Sequence, residues 1–217
     1  MTEKRGKYKQ KQKNVQRLKL FLKKVQDGKL TLGELDCLLK ENGQPIHLEI
    51  VYKFYLYDET AGPTEIDHWI GPNRKDSLTQ KIKKLKAKQL PLLYHNLTKP
   101  LLQKLDLHAE DIQQRVCFKA QLFVSLQNQK QTFKSINNSC ITGIYIKQIE
   151  LKQFVDCQFY LPKKTDWLME VQIEVSWLSF KAFTIQLNSV LIEKKSPLCW
   201  IKKRNGKTQK CFIVWWT

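Results

Sequence analysis

The sequence predicts a mixed α/β fold: a helix, a three-stranded meander, a second helix and a further strand, followed by a C-terminal α/β extension. Three observations predict it. Residues 31–57, TLGELDCLLKENGQPIHLEIVYKFYLY, read as two strands around an Asn42-Gly43 turn. The run HWIGPNRKDSLTQKIKKLKAKQLPLL places a helical pattern behind a Gly71-Pro72-Asn73 loop. Beyond it, short β-like segments surround one further helical pattern.

Taken in order, residues 3–17 read as a short basic helix. Leu18 to Gln26 alternates as a strand before an Asp27-Gly28 turn, with a helix continuing to Val25 as the competing reading. As a strand, it brings Leu20 and Leu22 to the same apolar face as Leu35. The hairpin that follows has its register set by the turn, because a two-residue Asn-Gly loop favours a type I′ turn flanked by a pair, here Glu41 and Gln44. Counting outward pairs Leu38 with His47, Asp36 with Glu49, Glu34 with Val51, and Leu32 with Lys53. Pro45 is tolerated at the start of its strand, its missing N–H pointing away from the first strand. Alternation then puts Leu35, Cys37, Leu39, Ile46, Leu48, Ile50 and Tyr52 on a core face. Glu34, Asp36, His47, Glu49 and Lys53 fall on the other. Asp36 and Glu49 form an open pair with Cα atoms about 4.5 Å apart. Like charges directly opposite destabilise a sheet unless something compensates them, and a shared divalent cation is one such compensation. A solvated polar face is the plainer alternative. His47 lies beside the two acids, near a strand end where a histidine commonly meets water.

The second helix has Asp76 or Ser77 near its cap and a buried stripe of Leu78, Ile82 and Leu85. Four residues further along that stripe is Gln89, an inward amide that needs a partner. Lys81, Lys84 and Lys88 share another face, and Pro91 is expected to end the helix. Strands are predicted at Val116 to Leu126, Gly143 to Ile149 and Glu170 to Trp177, and a helix at Phe183 to Glu193. A final hairpin, Leu198 to Lys203 and Lys210 to Trp216, turns about Asn205-Gly206. Gln127 to Asn138 is the one linker-like polar stretch.

Charge bounds the partners. The 217 residues carry 38 Lys and Arg against 20 Asp and Glu, a formal charge of +18, which favours a polyanion. DNA is the first expectation and RNA the second. The basic runs are Lys4 to Lys19, Arg74 to Lys88 and Lys202 to Lys210, although each alone is equally a solvated lysine-rich surface. Six cysteines without C-x-x-C spacing exclude a zinc motif and a dense disulfide framework. Four histidines form no H-x-x-x-H pair, and no Ser, His and Asp arrangement supports triad chemistry. The start is too hydrophilic for a signal peptide and no run reaches the ~18 apolar residues of a membrane span, so a cytoplasmic location is expected.

The motifs GELD, EIVYKFYL, HWIGPNRKDSL and KQLPL, and more weakly KTDWL and CFIVWW, resemble an uncharacterised bacterial domain-of-unknown-function family assigned to the PD-(D/E)XK nuclease superfamily. The resemblance covers most of the chain. It implies a restriction-endonuclease-like core over residues 1–130 and a C-terminal α/β extension over residues 131–217 packed on the same domain. It further implies Mg²⁺ (or Mn²⁺) held by Asp36 and Glu49, Lys53 as the catalytic cation and Gln89 in support. The implied activity is hydrolysis of DNA phosphodiesters in DNA repair or processing. Two departures stand out. The superfamily's E-x-K lysine position is Val51, and Lys53 lies about 7 Å further along at about 3.3 Å per residue, as it does in the resembled family. The acid expected on the N-terminal helix is missing: Gln10 sits near its place, and Glu34 is a candidate substitute. Arg74, Lys81, Lys84 and Lys88 are the expected nucleic-acid contacts. Trp69 and Pro72 are expected to serve the structure, whereas Trp200, Trp215 and Trp216 either stack on bases or fill a core. The alternatives to a nuclease are a non-catalytic nucleic-acid-binding module and, after it, a protein-interaction domain.

Overall fold

The computed structural model describes residues 20–27 and 29–216, with only the backbone described at residues 20–23, 27 and 30. The expected helix over residues 3–17, with Glu3 and Gln10, lies outside the described residues, as do the side chains of Leu20 and Leu22. The chain divides into two compact units that interleave in sequence: residues 1–52 with 82–119, and residues 53–81 with 120–217.

The first unit is built on the meander. Strands β1 (Leu20–Asp27), β2 (Leu30–Glu41) and β3 (Gln44–Tyr57, which continues into the second unit) follow one another antiparallel. Asn42 and Gly43 both have positive φ, 51° and 87°, as a type I′ turn requires. The expected register is the observed one from Glu41–Gln44 through Leu38–His47 to Cys37–Leu48. Helix α1 (Leu78–Lys84) enters this unit at residue 82. It does not stop at Pro91: it widens into a π-turn over Leu85–Gln89, closed by the Leu90 N–H on the Leu85 carbonyl, and runs into a 3₁₀ segment over Leu90–Tyr94. Proline is tolerated in the first turn of that new segment, where its missing N–H costs nothing. Helix α2 (Lys99–Gln103) follows, unanticipated from sequence. The helical run closes a core of Val25, Leu35, Leu38, Leu92, Leu93, Leu102 and Ile112. Gly33 permits this, since a Cβ there would stand 2.8 Å from the Leu92 methyl.

The face assignment of β3 needs correction. His47, Glu49 and Val51 are buried, whereas Ile50 and Tyr52, expected in the core, are 40% and 49% exposed. The reversal is confined to the stretch beyond Leu48: Ile46 on β3, and Leu35 and Cys37 of the same expected face on β2, are buried as expected. Hydrophobicity alone favoured the Ile50 face, yet the polar side chains opposite are buried because they satisfy one another, as described below.

The second unit contains the end of β3, paired with the short β4 (Trp69–Ile70). It also holds β5 (Gln113–Val124, which begins in the first unit) and β6 (Ile141–Lys147), parallel to each other, with β9 (Thr208–Val214) parallel to β6. Strand β8 (Leu198–Lys202) forms the expected hairpin with β9, turning through Gly206 at φ 78°, and β7 (Gln158–Tyr160) adds to β8. Both faces of this sheet are apolar. Ile144, Ile146, Cys199, Ile201, Cys211 and Ile213 face one core, and Phe123, Tyr145, Leu198, Phe212 and Val214 another. Helix α3 (Phe180–Ile192) covers the first through Phe183, Leu187 and Leu191, with Ser179 Oγ accepting the Ala182 N–H as its cap.

Glu170 to Trp177 is not a strand. It is irregular, Ile173 is 72% exposed, and the nearest pairing is a single bridge from Leu178 to Phe159. β-propensity without a neighbouring edge to pair with does not make a strand. The polar stretch Gln127 to Asn138 is tied down: Phe133 packs on Tyr57 and Trp69, and Glu65 accepts the Lys134 and Ser135 N–H groups. The six cysteines are free thiols, and no described helix is long and apolar enough to cross a membrane.

Candidate functional site

Asp36 and Glu49 do come together, but not as an ordinary ladder pair. The β2–β3 ladder ends at Cys37–Leu48, and the Ile50 N–H, which a regular ladder would direct to the Leu35 carbonyl, instead donates to Asp36 Oδ2 at 2.8 Å. Glu49 reciprocates with Oε1, 3.5 Å from the Asp36 N–H. Each carboxylate thus leans on the backbone beside the other.

Glu49 is wholly buried. Its Oε2 accepts the Gln89 amide at 3.0 Å, the partner the inward glutamine required, and its Oε1 lies 2.9 Å from His47 Nε2. His47 is equally buried rather than water-facing, so the sequence expectation for it fails. On its other side, His47 Nδ1 lies 3.0 Å from the amide nitrogen of Gln114 on β5, and that same nitrogen donates to the Leu90 carbonyl at 2.7 Å. The π-turn ending at Gln89 therefore aims Gln89 at one oxygen of Glu49, and the next residue, Leu90, anchors the chain of side chains that reaches the other. Gln114 had no signal in the sequence: its role depends on β5 running alongside β3, a long-range pairing.

The remaining expected site residues are placed as follows. Lys53 belongs to the second unit, where its Nζ donates to Asp76 Oδ2 at 2.6 Å. Glu34 faces Lys24 across β1 and β2 at 4.0 Å. Lys84 and Lys88 are exposed and Lys81 half-buried. No group of three or more His, Cys, Asp or Glu side chains is placed to hold a metal among the described residues. Asp36 and Glu49 are the two carboxylates that would hold a cation here, and Mg²⁺ is commonly held by one or two carboxylates.

In the second unit the conspicuous tryptophans and the WIGPN loop form a structural clasp. Trp69 is buried against Tyr57 and Phe133, the Gly71 N–H reaches the Asp76 carbonyl, and Pro72 and Asn73 accept from Trp216 Nε1 and the Ser196 N–H. Trp200 and Trp216 are core residues. Arg74, at φ 56°, pairs with Asp58 at 2.6 Å and lies 4.7 Å over the Trp216 ring. It lines a cavity of about 620 Å³ with Asp58, Tyr145, Lys147, Glu150 and Trp216. Burial pushes the Asp58 carboxyl up, but the Thr60 hydroxyl and N–H and the Arg74 guanidinium outweigh it and hold it below the usual carboxylate value. A depressed carboxyl contributes stability above its unfolded pKa and loses it as pH falls through the folded one. The stability difference between wild type and Asp58→Asn is therefore expected to be full above about pH 4 and to shrink in more acidic solution. Urea midpoints across that range check this, and a pH-independent difference would count against it.

A family model for a domain of unknown function, DUF1853, matches residues 11–214. The chain belongs to the DUF1853 family. Among curated proteins and among solved structures, none matches it. The DUF1853 match extends over parts of both units and includes Asp36, Glu49 and the WIGPN loop.

Proposed function

We propose that this protein is a magnesium-dependent, nuclease-like phosphodiesterase of the PD-(D/E)XK type acting on DNA, with Asp36 and Glu49 as the metal-binding pair. The observation that carries the reading is Glu49: a fully buried acid whose two oxygens are both held by hydrogen-bonding side chains, with a second carboxylate against its strand. Burying a carboxylate is costly, and a buried ionisable group with convergent polar partners marks a functional-site candidate. The formal charge of +18 supports a polyanionic substrate.

Bound Mg²⁺ supplies Lewis-acid polarisation of a phosphate and activation of a water. The chain's own residues prepare for it. Gln89 and His47 orient the Glu49 carboxylate, and the Ile50 N–H holds the Asp36 carboxylate beside it. The cation that the family resemblance assigns, Lys53, has Asp76 as its partner, so the reading rests on the two acids and Gln89.

The test is cleavage of single-stranded, duplex and branched DNA by the full chain with Mg²⁺ or Mn²⁺, against Asp36→Ala. The expected outcome is cleavage that requires metal and falls by at least ~100-fold in the variant. Equal residual cleavage in both would end the enzymatic reading. Metal-independent, salt-sensitive DNA binding without cleavage would favour a non-catalytic binding module, with a logarithmic salt slope of about −0.9 per phosphate neutralised.

A further inference from the structure

The amide of Gln114 bridges the Leu90 carbonyl and His47 Nδ1. Its nitrogen lies 2.7 Å from the Leu90 carbonyl oxygen, which can only accept, so the group there is the NH₂ and not the amide oxygen. The same NH₂ lies 3.0 Å from His47 Nδ1 and can only donate to it. Nδ1 must then present a lone pair. The ring proton is left on Nε2, which donates to Glu49 Oε1 at 2.9 Å. Gln89 donates to the other oxygen. The Glu49 carboxylate is thus oriented from both sides.

We propose that His47 and Gln114 are positioning residues of the carboxylate site: Gln114 holds the His47 ring with its Nε2–H toward Glu49, and His47, with Gln89, fixes the orientation of the Glu49 carboxylate. This rests on the metal-binding reading of Asp36 and Glu49. Its logic is that of the partner behind a metal ligand, whose hydrogen bond fixes orientation and raises basicity and whose loss typically costs 10–100-fold in affinity. Both oxygens of Glu49 are governed from one turn of chain, Gln89 directly and Leu90 through Gln114 and His47.

The test has two readouts on the full-length protein. Imidazole ¹⁵N–¹H correlation spectra of the wild type, assigned by comparison with His47→Gln, are expected to show a protonated Nε2 and a bare Nδ1 for His47. Mn²⁺ titration, followed by the loss of free-ion paramagnetic signal, is expected to show affinity about 10–100-fold weaker in His47→Leu and Gln114→Met. His47→Gln, which returns an N–H donor near the Nε2 position, is expected to recover most of it. Thermal melts identify the variants that remain folded, and Gln114→Met answers the question if His47→Leu does not fold. An Nδ1–H or doubly protonated ring overturns the inference, as does unchanged Mn²⁺ affinity in folded Gln114→Met. Both leave the metal reading standing. Absence of Mn²⁺ binding by folded wild-type protein overturns the metal reading and this inference together.

Discussion

Glu49→Ala is expected to abolish measurable Mn²⁺ binding and to destabilise the protein, because one side chain serves both purposes. Truncation leaves the His47 Nε2–H and the Gln89 amide without their acceptor in a buried position. Each orphaned buried donor costs about 1–3 kcal/mol, partly offset because a buried negative charge is also removed, so the net loss is about 2 kcal/mol. Glu49→Gln separates the two effects. Its amide oxygen still accepts from His47, so most stability should survive, while the ligand charge is gone and metal affinity should fall at least ~100-fold, beyond what loss of a supporting residue costs. Urea denaturation and Mn²⁺ titration of the two variants check this. Retained metal binding in both would place any metal elsewhere.

Gly143→Ala is expected to be the most damaging single methyl in the second unit. Gly143 lies on β6 opposite Lys210 of the parallel strand β9, and a Cβ there would overlap the Lys210 carbonyl oxygen and come within 2.9 Å of the Phe123 ring. Neither can yield cheaply. The carbonyl belongs to the sheet backbone, and Phe123 is fully buried in T-shaped contact with Phe212 at 4.8 Å. Overpacking of this kind costs about 3 kcal/mol. The damage should spread to Lys210, a buried lysine whose ammonium is held by Gln121 Oε1 and the Trp167 carbonyl and whose pKa burial pushes down against the pull of Glu170. A melting temperature lowered by several degrees checks this. A variant as stable as the wild type would mean that the sheet opens at Gly143 without cost and would overturn the prediction.

Local signals in the sequence translated well into structure. The Asn42-Gly43 turn determined the register of β2 and β3 because two consecutive positive φ angles leave one way to close the hairpin. The spacing of Leu78, Ile82 and Leu85 placed Gln89 inward, and the acid it was aimed at was the one already singled out on β3. The final hairpin also formed where Asn205-Gly206 marked it, although it closes through a three-residue loop with positive φ at Gly206. Failures came where a non-local neighbour decides. Glu170 to Trp177 has the composition of a strand but no edge to join, and the passage of the helix through Pro91 depends on a π-turn that no propensity reports. The short β7 and α2 carry too few residues to show a period.

What the sequence by itself determined was the chemistry and order of the parts: the turns, the alternation of β3, the facing acids and the inward glutamine. These are properties of residues a few positions apart, and backbone stereochemistry settles them. What only the tertiary structure decided was which face of β3 is inside from Glu49 to Tyr52. Val51 and Ile50 are almost equally apolar, so periodicity cannot choose between them. The choice falls to the polar side, because Gln114 from β5 and Gln89 from the helical run reach His47 and Glu49 and make their burial tolerable. A buried carboxylate is unfavourable until its partners arrive, and Gln89 comes to Glu49 from 40 residues away and Gln114 to His47 from 67, beyond the reach of any local pattern.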